Sequence, residues 1–347
     1  MAGVAAGADK NLQGYQTGAI SWALSNDGRP STAPFSSAPV AEFVHSKIAR
    51  HGETTGPLYL ERLPALMRVE ASALYFHVPM MTTDPFSMNV RTSILNGMIT
   101  DHYPFAMENL PGQNSSIIAP KVPGPDSNKD RGIQWTNLRV GDAADSLETS
   151  SSRWSALRAV SAAAPNRLDC PRPAGAKPTD EVTTEGEVFA FARGTGNVRA
   201  PLLIKHDGDR FIVSRFDDRH TTERVAAVWY AEFKNDGTGA YYHSGELNAG
   251  RDMSTSAPDS FDAGKYVSSA ASDLRDELRQ AMNAEGSDSE ESRAMLAFAG
   301  DEWFGKPGRR FLFVVPSQWA DKFLPLEIQG NARIAHRVFI GRIELVD

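Results

Sequence analysis

The run from Glu185 to His243 constrains the fold more than any other part of the chain. Five short pieces, Glu187 to Ala192, Val198 to His206, Arg210 to Phe216, Arg224 to Phe233 and Ala240 to His243, are rich in β-branched and aromatic residues and read as strands. Asp207-Gly208 separates the second from the third, and Asn235-Asp236-Gly237 the fourth from the fifth. Such turn residues tolerate the positive φ that a tight hairpin demands. Consecutive strands joined this way pair antiparallel, so the middle of the chain is an antiparallel meander.

The same pattern recurs on either side. Met67 to Val78 alternates loosely up to Pro79, and Gly132 to Val140 alternates with one slip between Trp135 and Leu138, the mark of a bulge. Later come Arg310 to Val315, Leu324 to Ile328, a Gln329-Gly330-Asn331 turn and a long run from Ile334 to Val346. Helical spacing breaks in between these strands. Val40, Phe43, Val44 and Ile48 mark one short helix, and Trp154, Leu157 and Val160 mark another over Ser152 to Ala164, stopped by Pro165. Val267, Ala271, Leu274, Leu278 and Met282 share one face of a helix over Tyr266 to Asn283, with Met295, Leu296 and Phe298 in a second just after it.

Strands that cluster, with helices arriving as insertions, exclude a doubly wound α/β sheet and predict a mainly β fold. The expected architecture is an antiparallel β-sandwich or jelly roll with two or three inserted helices. Residues 1–37, rich in Gly, Ala, Ser, Thr and Pro, read as a flexible N-terminal arm. Residues 38–347 form the β-rich body. It carries a proline-rich loop insertion over 79–130, a loop and helix insertion over 145–182 and a helical insertion over 262–304.

Charge narrows the partners. Lys and Arg number 36 against 43 Asp and Glu, a net charge of −7, and in the arm Asp9 and Asp27 balance Lys10 and Arg29. That balance speaks against a general polyanion-binding surface, and sequence-specific nucleic-acid binding is not expected. The single cysteine, Cys170, excludes an intrachain disulfide and an all-cysteine metal site. No apolar run is long enough to span a membrane.

Chemistry-bearing patterns are sparse. None of the eight histidines has the spacing of a zinc helix. His206 beside Asp207, with His220 after Asp217-Asp218, would form a carboxylate and imidazole cluster if the hairpin joins them. Gly194-Thr195-Gly196 leads from one strand to another and reads as a turn, and Gly305-Lys306-Pro307-Gly308 lacks the spacing of a phosphate loop. Glu290-Glu291 reads as part of a solvated helix face. Trp229-Tyr230 with Tyr241-Tyr242 is the aromatic cluster that a sugar-binding face would use. Acids between Glu285 and Glu302 and bases between Lys306 and Arg342 could pair within one chain or between subunits. No residue is assigned to catalysis, to a cofactor or to a metal, and no cofactor is expected.

A small-residue arm, short strands in pairs, long proline-rich loops, helical insertions and a last long strand together resemble the coat and surface structural proteins of non-enveloped icosahedral viruses. The resemblance implies a capsid or capsid-surface subunit of a virion, made in the host cytoplasm, with copies of itself or another shell protein as partners. Many such coats that package single-stranded RNA carry an arginine-rich arm, which this chain lacks. Within the resemblance that favours a double-stranded RNA virus or an outer decorating protein. Two other readings stand beside it: a β-sandwich carbohydrate-binding module or carbohydrate-active enzyme using the rings near Trp229 and the acids near Asp217, and a phage fibre or baseplate component.

Overall fold

The structure is a computed structural model that describes residues 12–25, 67–78, 85–104, 106–109, 132–143, 152–169, 184–216, 224–248, 254–330 and 332–346. In chain order its elements are β1 (Leu12–Ser25), β2 (Met67–His77), β3 (Phe86–Ser93), β4 (Gly97–Tyr103), β5 (Met107–Asn109), β6 (Gly132–Val140), α1 (Ser152–Arg158), β7 (Asn166–Asp169) and β8 (Thr184–Glu187). There follow β9 (Phe189–Gly196), β10 (Leu202–Asp207), β11 (Arg210–Arg215), β12 (Val225–Phe233), β13 (Gly239–Leu247), β14 (Ser254–Pro258), α2 (Ala270–Ala284), α3 (Ser289–Phe304), β15 (Gly308–Val315), α4 (Ser317–Phe323), β16 (Leu326–Gly330) and β17 (Ala332–Val346). The fold is mainly β, a sandwich with inserted helices, as the sequence predicts.

Three sheets form the sandwich. The largest has eight strands in the order β13-β12-β15-β17-β1-β2-β9-β4; a three-stranded sheet runs β10-β11-β14, and a six-stranded one β16-β3-β6-β7-β8. Every pair in them is antiparallel except β1 with β17, which is parallel and in register from Leu12↔Ala332 to Ser25↔Val346 with one shift. Period-two alternation splits each strand between two faces. On β12, Trp229, Ala231 and Phe233 join a core built with α1, α2 and α3, while Val228 and Tyr230 point the other way. On β15, Leu312 and Val314 face the helices, and Phe311, Phe313 and Val315 face the three-stranded sheet and α4. A third core joins Leu74, Phe76 and Ala190 of the large sheet to Val90, Trp135 and Leu138 of the six-stranded one. The layers are therefore helices, large sheet, and two smaller sheets.

The N-terminal arm is the main correction. Leu12–Ser25, placed by sequence within a flexible arm, is a strand near the middle of the large sheet, with Leu12, Ala19, Ile20 and Trp22 buried. Its glycines and alanines are a packing requirement. A Cβ on Gly18 would lie 2.3 Å from the Phe339 ring and 2.7 Å from the Ala71 carbonyl oxygen. The insertion over 79–130 likewise contains β3, β4 and β5, and that over 145–182 contains β7, because Pro85, Pro104 and Pro165 fall between the strands and leave their ladders intact. The helix expected around Val40 to Ile48 lies outside the described residues.

Smaller differences follow local physics. The hairpin pairs Asp207 with Arg210, so its loop is Gly208-Asp209, with Gly208 alone of the two at positive φ, one residue later than expected. Helix α1 ends at Arg158 instead of running on towards Pro165. Gly194-Thr195-Gly196 lies inside β9 and pairs with both β2 and β4; it is no turn. A Cβ on Gly194 would approach the Met98 carbonyl oxygen to 2.1 Å. The slip in β6 is a bulge at Thr136-Asn137, both exposed, with Asn137 at φ 57°. The Asn235-Asp236-Gly237 turn is as expected, and Asp236 Oδ1 accepts from the Thr238 amide and hydroxyl.

Candidate functional site

Only parts of the expected clusters lie among the described residues. His206 Nε2 lies 3.2 Å from Asp259 Oδ2, beyond β14, and this hydrogen bond holds the Asp259 carboxyl below its ordinary value. Asp217, Asp218, His220 and Cys170 fall outside the described residues. Of the aromatic cluster, Trp229 and Tyr230 are buried. The Trp229 indole donates to Glu277 Oε2 at 2.7 Å, and the Tyr230 hydroxyl donates to the Asp259 carbonyl at 3.1 Å. Tyr241 donates to Glu277 Oε1 at 2.8 Å; burial and that carboxylate push its phenol up to about 12. Only Tyr242 of these rings reaches solvent widely, at 45% exposure.

The acids of α3 depart from a solvated face. Asp288 caps the helix, its side chain accepting from the Glu290 amide at 2.7 Å. Glu290 Oε2 accepts from the Ser161 amide and hydroxyl at 2.7 Å, which holds its carboxyl below the ordinary value. Glu291 sits three residues after the cap, turns inward and is 1% exposed. Its Oε1 lies 3.0 Å from His77 Nε2 at the end of β2, an approach without hydrogen-bond angles, so the pair is read as electrostatic. Tyr15 of β1 stacks on His77 with ring centroids 4.3 Å apart, donates its hydroxyl to Gln13 at 2.6 Å, and stands 6.0 Å from the His336 ring of β17.

This seam between α3 and the ends of β1, β2 and β17 brings titratable side chains together from four elements. Burial first, and then the charges of Glu291 and Asp288, raise the Tyr15 phenol, and burial drives Tyr75 well above its ordinary value. A carboxylate against an imidazole is an acid–base pair in chemical type. Here the Tyr15 ring covers the imidazole and the phenol is held by Gln13, so the arrangement fastens the helix to the sheet. Among the described residues no three His, Cys, Asp or Glu side chains are placed to hold a metal ion. The spacing Asp288-x-x-Glu291 is a helix-start signal of the capping-box type and was available in the sequence; His77, inside a strand, carried no such signal.

The basic stretch after α3 closes on the same chain. Arg310 is 1% exposed at its side chain, pairs with Glu344 at 3.1 Å and donates to the Trp303 and Lys306 carbonyls at 2.8 and 2.7 Å. Arg342 donates to the Glu302 carbonyl at 2.7 Å and pairs with Glu70 at 3.2 Å, while the Trp303 indole donates to Glu70 Oε2 at 2.7 Å. Two guanidinium groups thus meet the carbonyl end of α3, where the helix dipole favours positive charge. Lys306 with Glu302 at 2.7 Å joins basic and acidic stretches within one molecule.

One concavity of about 160 Å³ opens between the β9–β10 link, the end of β11 and α4, lined by Val198, Arg199, Pro201, Phe216, Trp319 and Phe323. Among the described residues no helix is long and apolar enough to cross a membrane.

No protein-family model matches the chain, and no curated protein matches it. Among solved structures, the mu homology domain of Fcho1 from Danio rerio with bound Eps15 peptide is similar over 98% of both chains, at 8% identity and a TM-score of 0.37. A likeness at that level carries no argument about fold or function.

Proposed function

We propose that the protein is a structural subunit that associates with copies of itself, as a capsid or capsid-surface protein of an icosahedral virion does. What supports the reading is where the carboxylates against the helices go. Glu70, Glu277 and Glu291 meet Trp, Arg, Tyr or His side chains of the same chain and fasten α2 and α3 to the large sheet, while Glu187 of β8 fastens α1 to the six-stranded sheet. Glu187 holds both the Trp154 indole and the Arg158 guanidinium of α1. Ionisable groups used in this way hold the layers together and leave association to the outer surfaces, where identical subunits assemble with closed symmetry. The carbohydrate reading loses support, since Trp229 and Tyr230 are buried and, of the cluster it would use, only Tyr242 is widely exposed.

Negative-stain microscopy of the purified full chain tests the reading. Closed particles or discrete rings of uniform size are expected. Isolated particles of single-chain size at every concentration would overturn it.

A further inference from the structure

Helix α3 is fastened to the large sheet by a carboxylate at each end, and the two fastenings differ in their cation. At the C-terminal end, Glu70 of β2 meets Arg342 at 3.2 Å and the Trp303 indole at 2.7 Å. A guanidinium keeps its proton throughout the pH range of a folded protein. At the N-terminal end, Glu291 turns towards the sheet and is 1% exposed. Among the described residues the cationic group within ion-pair distance of it is the His77 imidazole at 3.0 Å. Imidazole is the side chain whose charge changes between about pH 5 and 8. One end of α3 is thus held by a permanent charge and the other by a charge that pH removes.

The neighbouring groups have their own engagements. From β1, Tyr15 covers the imidazole with ring centroids 4.3 Å apart and donates to Gln13. From β2, Tyr75 donates its hydroxyl to the Leu157 carbonyl at 3.1 Å. From β17, the exposed His336 stands 6.0 Å from the Tyr15 ring, and the exposed Arg333 acts on the Tyr15 phenol. Of the acids, Asp288 caps α3 through the Glu290 amide, Glu290 accepts from Ser161, and Glu285 at the end of α2 pairs with Arg224 at 2.8 Å. With the bond from the Ser292 hydroxyl to Asn283 at 2.7 Å, Glu290 and Asp288 tie the start of α3 into the helical layer. Its polar tie to the sheet, among the described residues, is Glu291 with His77. The turn between α2 and α3 lies against the same seam: Gly286 has φ 101°, and a Cβ there would stand 2.3 Å from His336 Nδ1.

We infer that Glu291 and His77 form a proton-controlled latch: a charged His77 fastens the start of α3 to the sheet, and loss of that proton as pH rises releases it. The cause is the burial of the carboxylate. Facing an imidazolium, its charge is compensated. Facing a neutral ring at the same distance, it is a buried charge without a counter-charge, a state that favours movement of the helix start towards water. The sign is therefore fixed: the latch is closed in mild acid and open above neutrality. It is independent of the self-association proposed above.

Hydrogen exchange of the full chain, read by mass spectrometry at pH 5.5 and pH 8 and corrected for the intrinsic pH dependence of amide exchange, tests the latch. Peptides covering residues 286–296 are expected to exchange about tenfold faster at pH 8, while the Arg342 end of α3 keeps one corrected rate. His102, buried on β4 with its imidazole pushed down to about 4, weakens the whole fold on acidification and so cannot imitate this result. His77→Gln is expected to exchange fast at both pH values, and His336→Gln, at an exposed position, to keep the pH dependence. Equal corrected rates over 286–296 in the unaltered chain would overturn the latch, whether or not the variants fold. A dependence that survives in His77→Gln, or that vanishes in His336→Gln, would overturn it as well.

Discussion

Arg342 and Glu70 show how much of this fold depends on single buried charges. Glu70 sits on β2 beneath α3; burial raises its carboxyl, but the charge of Arg342 and the hydrogen bond from the Trp303 indole outweigh that and bring it below the ordinary value. Arg342→Met would leave the carboxylate without its cation, at a cost of about 3–5 kcal/mol, measurable as a lower urea midpoint. Pairing it with Glu70→Gln is expected to recover part of the loss, because the stranded charge is removed. His102 on β4 supplies the pH dependence. Burial pushes its imidazole down from 6.5 to about 4, so the fold prefers it neutral. The unfolded chain binds the proton first as pH falls, and the contribution, fully present above pH 6.5, is lost between pH 6.5 and about 4. That amounts to about 3 kcal/mol, and chemical denaturation at pH 7 and pH 4.5 should show a smaller pH dependence in His102→Gln than in the unaltered chain.

At the scale of elements, β1 carries the large sheet, since it joins β17 on one side to β2 on the other. Gly18→Ala would force a methyl into the Phe339 ring and the Ala71 carbonyl, and is expected to cost about 1–3 kcal/mol by overpacking, read as a lower thermal midpoint. What the sequence showed and hid divides along the same lines. The hairpins around Gly208 and Gly237 and the apolar stripe of Leu274, Leu278 and Met282 were legible, because turn residues and periodicity act locally. β1 was not legible: its partners are more than forty residues away, and small residues chosen for close approach between strands look like those of a flexible tail. Helix α4 is only seven residues long, too short for a periodic signal. The seam of Tyr15, His77, Glu291 and His336 draws on four elements, and only the helix cap had a local pattern.

The described residues form three layers, with the first and last described strands side by side near the centre of the largest sheet. One consequence concerns truncation. A chain starting at Ala38 would lack β1 entirely, so its failure to assemble would report unfolding instead of a missing arm. Association must therefore be tested with the full chain. Light scattering coupled to size exclusion, run across a hundredfold range of concentration, measures the solution mass against the 37.8 kDa of one chain. The account predicts a mass that rises with concentration into a discrete multiple of the chain. A constant mass of one chain throughout would contradict it.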